Sequence, residues 1–292
     1  HAYDHPALAE MGLEVARAYD SIAPEVPHAL HMPSHIFTRL GLWSESAEWN
    51  ARSAAAVLDQ AHDGVLADHY PHAIDYAVYA HLQAGEVAAA EALLDDLSRH
   101  PNLEDTFGSA YATAAAPARV PLETGDWAAA ADLPTEMNSH ITWDRYPQAV
   151  AMRWFAKGIG AARSGDMTGA RTATAGISSL RDVMAERGMD YWVMLSEVQI
   201  GAIDAWITLA EGDGDKARAI LSKAADQEDA IGKAPVTPGH VLPARELLGD
   251  LLLELGDPVG AAGAYHASLA ISPNRSRSLT GVATASERQA DN

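Results

Sequence analysis

Apolar and small residues recur at helical spacing along most of this chain, and glycines interrupt the pattern at regular distances. The interruptions fall at Gly41 (LGLWSESAEW), Gly85 (QAGEVAAAEALL), Gly125 (ETGDWAAAADL), Gly165 (RSGDMTGARTA), Gly212 (AEGDGDKARAIL) and Gly256 (ELGDPVGAAGAY), 40 to 47 residues apart. One helical pattern ends at each glycine and another opens at once, as a glycine past a helix C-terminus permits. Ala90, Ala130, Ala170, Ala217 and Ala261 each fall five residues past their glycine, with Ser46 in that place in the first unit. A small residue there lets two helices approach closely. The pattern predicts about six helical hairpins over residues 27–273, more than two-thirds helix and no sheet. Residues 6–23 read as one amphipathic helix with Leu8, Met11, Val15, Tyr19 and Ile22 as its apolar stripe. It forms a partial N-terminal unit over 1–26, and residues 274–292 form a capping helix. The clearest loop is 235–239 (PVTPG), with further breaks at 101–106 and 134–145. None of these resembles a flexible linker, so 1–292 reads as one domain.

These hairpins resemble tetratricopeptide repeats, in a long and degenerate form of bacterial type. The last unit carries the resemblance best, with Leu248, Gly249, Gly256, Asp257, Ala261, Tyr265, Leu269 and Pro273 in the family order. The period exceeds the family's usual 34 residues, so longer helices or loops must absorb the excess. The resemblance implies an all-α right-handed solenoid whose first helices line a concave groove. It also implies which positions face inward: thirteen, ten, six, three and two residues before each turn glycine. Counted from Gly41 these are His28, His31, His35, Thr38 and Arg39; from Gly85 they are His72, Asp75, Tyr79, Leu82 and Gln83. Later units contribute Arg119, Glu123 and Arg163, and the last gives Glu246, Asp250 and Glu254. The groove is thus rich in histidine at one end and acidic at the other.

Composition narrows the function. The 292 residues carry 20 basic and 40 acidic side chains, a net charge of −20. Such a chain repels nucleic acid and anionic membranes. There is no cysteine, which excludes disulfides, thiolate metal sites and a cysteine nucleophile. No uninterrupted apolar run of membrane-spanning length occurs, so no membrane insertion is expected. The chain reads as a soluble protein, cytoplasmic or exported, with a processed or trimmed N-terminus. No glycine-rich phosphate loop, HExxH pair or serine nucleophile elbow is present.

The candidate chemistry lies in PHALHMPSHIFTRLG, residues 27–41. His28, His31 and His35 stand at helical spacing on one face, and packed first helices would place His72 and Asp75 beside them. Five nitrogen and oxygen donors without thiolate suit one divalent transition metal, whether zinc, copper, nickel, iron or manganese. The alternative is a set of groove histidines hydrogen-bonded to their neighbours, tuning charge near neutral pH. Pro33 either kinks a helix through this stretch or starts it. Residues 1–5 (HAYDH) read as an unattached terminus, or as a source of further ligands if they fold back. Arg39, Arg119 and Arg163 can bind a carboxylate or phosphate, or pair with acids of the chain. Glu246, Asp250 and Glu254 repel one another unless they face water, a cation or a basic ligand, with a solvated face as the default.

Two functions follow as expectations. The first is a groove-binding repeat protein for a peptide, protein segment or small molecule, using Thr38, Arg39, Tyr79, Gln83, Arg119, Glu123 and Arg163. The peptide clamp of chaperone-binding relatives needs lysines and asparagines that these positions lack. The second is a metal-dependent enzyme, hydrolytic or oxidative, built on His28, His31, His35, His72 and Asp75.

Overall fold

The computed structural model describes residues 2–61 and 64–291. His1 and His62 lie outside them, so His1 as a ligand is not addressed. The described residues form fourteen α-helices with two short 3₁₀ turns and no strand. A helix pair meets at each of the six glycines: α2 (Pro27–Leu40) and α3 (Trp43–Gln60), α4 (His69–Gln83) and α5 (Val87–Arg99), α6 (Phe107–Thr124) and α7 (Trp127–Asp132). The series continues with α8 (Pro147–Ser164) and α9 (Met167–Glu186), α10 (Asp190–Ala210) and α11 (Gly214–Ile231), α12 (Ala244–Glu254) and α13 (Pro258–Ile271). All six glycines have φ between 66° and 91°, the left-handed region that lets the chain reverse without a Cβ clash. A side chain at Gly41 would also strike the carbonyl of Pro273.

α2, α4, α6, α8, α10 and α12 pack in succession, and each of the helices that follow them fits between two members of that row. The row ends with α14 (Ser276–Ala290), which packs on α12 and also touches α4. The two ends of the chain are tied there. The Trp43 indole donates to the Asn274 carbonyl at 2.8 Å, and Asn274 Nδ2 donates to the Gly41 carbonyl at 3.3 Å. Lys233 Nζ reaches Asp4 Oδ2 at 3.0 Å from the far half of the chain.

The N-terminal helix is shorter than its pattern suggests. α1 covers Ala9–Arg17, and a 3₁₀ turn at Tyr19–Ser21 replaces its expected continuation. Leu8 offers no side-chain cap. Most of the expected apolar stripe also faces outward, with Leu8, Met11, Val15 and Ile22 exposed and only Tyr19 packed on the core, while Ala9, Gly12 and Ala16 are buried. Gly12 explains the choice, since its missing side chain admits the Tyr3 ring.

α2 runs unbroken through Pro33, with Pro27 in its first turn. Pro33 removes one backbone hydrogen bond, yet it is buried within the helix. Among the described residues one helix, α10, is long and apolar enough to cross a membrane by length and composition. More than half of its apolar window is buried, and it packs among α8, α9, α11 and α12.

Candidate metal centre

The inward faces of α2 and α4 bring three imidazoles together. Nitrogen atoms of His31, His35 and His72 all lie within 4.8 Å of one another. The His31 and His72 ring centroids are 4.4 Å apart, and those of His31 and His35 are 4.9 Å apart. His31 and His35 are buried, and His72 is half-buried. The i, i+4 spacing on α2 supplies the first two rings and the packing of α4 against α2 supplies the third.

Hydrogen bonds determine which nitrogen each α2 ring presents. Asn50 on α3 donates Nδ2–H to the Ser46 carbonyl at 2.7 Å, which leaves its Oδ1 facing His31 Nδ1 at 2.7 Å. A carbonyl oxygen only accepts, so His31 carries its proton on Nδ1. His35 Nδ1 lies 2.8 Å from Asp4 Oδ2 and 3.2 Å from the Tyr76 hydroxyl. Tyr76 donates its own proton to the Thr237 carbonyl at 3.0 Å. Both neighbours of Nδ1 are therefore acceptors, and His35 also carries its proton there. The Nε2 atoms of the two rings face each other 3.0 Å apart with neither bearing a proton. Two lone pairs so opposed repel, and a cation between them converts repulsion into coordination.

Burial keeps these rings neutral. It lowers His31 well below the ordinary imidazole range, with the neighbouring His72 and His35 adding to the effect. His72 falls to about 3, through burial and then the surrounding imidazoles. Burial lowers His35 as well, against the opposing pull of Asp4.

The other two residues read as ligands stand apart from this group. His28 is exposed and stacks on His69, ring centroids 4.9 Å apart, with His31 at 6.4 Å. Asp75 is buried in an ion pair with Arg119 at 2.7 Å. Asn50, Tyr76 and His69 were not singled out from the sequence. His69 was findable, since it precedes His72 by three residues at the start of a predicted helix. Asp4 shows that the N-terminal segment is attached: it accepts from His35, from Arg39 Nε at 2.8 Å and from Lys233. Burial pushes the Asp4 carboxyl upward, but these three donors hold it well below the usual range.

The residues read as groove-lining meet parts of the chain itself. Thr38 bonds Ser46, and the Gln83 side-chain carbonyl accepts from the Ser276 amide. Arg119 donates to the carbonyls of Gly239 and His240 in the α11–α12 connection, much of which is buried. Tyr79 and Glu123 both accept from the fully buried Arg275. Arg163 pairs with Glu254 and lies over the Trp206 ring. The acidic stripe on α12 is accordingly solvated only at Glu254, not at Glu246 or Asp250. Arg275 grips Glu246 with two hydrogen bonds of 2.8 Å, Arg277 pairs with Asp250, and Glu254 takes Arg163.

Beside Asp4 lies a partly open cavity of about 400 Å³. Glu228 and His240 line it, with Glu228 Oε1 3.6 Å from His240 Nδ1. Glu228 Oε2 accepts the Ala244 amide at 2.6 Å, at the start of α12. Burial raises Glu228 to about 8 despite that hydrogen bond, and lowers His240 to about 3. A raised carboxyl holds its proton in the folded state after the unfolded chain has lost it, so stability falls between about pH 4.5 and 8. Glu228→Gln keeps an acceptor for Ala244 and cannot ionise. Thermal melts should show the variant gaining on the parent protein by a few kcal/mol on going from pH 5 to pH 8. A constant difference across that range would contradict the neutral carboxyl.

No protein-family model matches this sequence, and no curated protein matches it. The fold and the site together define an all-helical protein with a preorganised cluster of three imidazoles.

Proposed function

We propose that this protein is a tetratricopeptide-like helical-repeat protein, a right-handed solenoid closed at its ends, that binds one divalent transition metal. The ligands are His31, His35 and His72. One observation carries the reading: Asn50 and Asp4 each hold a ring so that its unprotonated Nε2 meets the other's. Metal-bound histidines are oriented in this way, the second nitrogen donating to a carboxylate or carbonyl. Donors around a tetrahedral ion sit roughly 3.4 Å apart, given metal–nitrogen distances of about 2.0–2.1 Å. The two α2 rings already approach that spacing, and half-buried His72 closes the remainder by side-chain rotation. With Asp75 engaged by Arg119, the donor set is all imidazole, which favours zinc, copper, nickel or iron over manganese.

The interior supports a small ligand in preference to a peptide, because the α11–α12 connection and Arg275 occupy the inner face. A second reading, metal-dependent hydrolysis or oxidation, draws on the count of ligands. Three protein donors leave a coordination position for water or substrate, as in catalytic zinc sites.

The test is elemental analysis of protein purified without an immobilised-metal column. The reading expects one transition-metal ion per chain, removed by chelator and restored by titration with a zinc salt. Substoichiometric metal before titration, with no saturable uptake afterwards, would remove it.

A further inference from the structure

The 400 Å³ cavity beside Asp4 lies outside the imidazole cluster and shares only the Asp4 carboxylate with it. Its volume falls in the range of small-molecule sites. Its walls come from the N-terminal segment, α2, α4, the end of α11 and the connection after it, α12 and α13. Residues remote in sequence thus converge on one partly open space.

The charges in it do not balance. Arg39 and Lys233 both point at Asp4, two cations on one carboxylate. That wall carries one surplus positive charge. It also holds spare donors. Lys233 is buried, and its ammonium has three N–H groups against one acceptor, Asp4 Oδ2. Arg39 uses Nε and, weakly, Nη2 on Asp4, and its Nη1 has no hydrogen bond among the described residues. Elsewhere the lining is polar without surplus charge of that sign. Ser272 offers a hydroxyl and Ser268, already bonded to Ser278, an oxygen; Glu228 and His240 are neutral, and Arg245 is taken by Asp226 and Asp229.

The structure assigns this cavity as a binding site for a small hydroxylated organic monocarboxylate, its carboxylate on Lys233 and Arg39 and its hydroxyls toward Ser268 and Ser272. A single surplus cation matches a monoanion. A phosphate dianion would bring a second charge with no cation left to compensate it against the buried Lys233 wall. The guanidinium fork of Arg39 suits a planar carboxylate.

The assignment stands whether or not a metal binds, so it is tested on chelator-treated protein. Isothermal titration would use lactate, 3-hydroxybutyrate and gluconate, with lactamide as the uncharged analogue and inorganic phosphate as the competing anion, all at matched ionic strength. At least one carboxylate should bind at one site per chain. Lactamide should not bind, and phosphate should bind at least tenfold more weakly. Lys233→Met and Arg39→Gln should each weaken the carboxylate tenfold or more while retaining the helical circular-dichroism spectrum. Should Lys233→Met fail to fold, the less buried Arg39→Gln decides. Binding by none of the three acids, tighter binding of phosphate, or unchanged affinity in a folded variant would overturn the assignment.

Discussion

Replacing His31 with alanine is expected to reduce metal content from one ion per chain to near zero while the helical signal persists. His31 occupies the middle of the cluster, in ring contact with both His35 and His72. Without it the two remaining rings stand on separate helices, each against the Tyr76 ring, and two imidazoles are too few donors to hold the ion. A subtler variant separates coordination from packing. Asn50→Leu keeps all three imidazoles but deletes the acceptor that holds the His31 proton on Nδ1. Loss of such an orienting partner typically weakens metal binding 10- to 100-fold. Competition titration against a chromophoric chelator measures both variants. If Asn50→Leu bound metal as tightly as the parent, the tautomer argument would fail even with the ligands correct.

The largest effect on stability is expected from Arg275→Ala. Arg275 is fully buried and satisfies Glu246, Glu123 and the Tyr79 hydroxyl together. Its removal strands two carboxylates in the interior, one on α6 and one on α12. Breaking a buried ion pair from one side costs about 3–5 kcal/mol, a large share of the stability of a typical domain. The loss should show as a lower urea midpoint at pH 7 and should shrink under mild acid, where the stranded carboxylates can take up protons. A paired change, Arg275→Met with Glu246→Leu, should cost much less than the two single changes summed. A neutral Arg275→Ala would mean that water reaches these acids.

What could be read from the sequence was what is local. A glycine that must adopt a left-handed backbone announces a turn wherever it stands, and all six of these glycines do so. The pairing of His31 with His35 follows from helical spacing alone, and His72 follows from the packing of successive first helices. Asp4 and Asn50 were hidden because their value lies in a hydrogen bond to a ring 31 and 19 residues away. Nothing near them in sequence marks it. The acidic stripe on α12 was misjudged for the same reason: its partner Arg275 sits in the segment before α14, and its helical period is equally that of a solvated face. On α1 the pattern misled outright. Larger apolar side chains usually face inward, but here Gly12 and its small neighbours give the closer approach.

The tie between the chain's two ends bears on how the molecule comes apart. In an open array each unit touches only its neighbours, so the terminal units can melt independently of the centre. Here Asp4 is held by Lys233, Trp43 by the carbonyl of Asn274, and Tyr79 by Arg275, bonds that span 196 to 231 residues. Fraying at either end therefore breaks contacts that the opposite end also needs, and the partial unfolding open to a linear stack becomes costly. These same contacts carry the greatest loop-closure entropy, so they are expected to form late in folding, after the hairpins. These bonds couple the first hairpin to the last, and a single unfolding transition is the expected consequence.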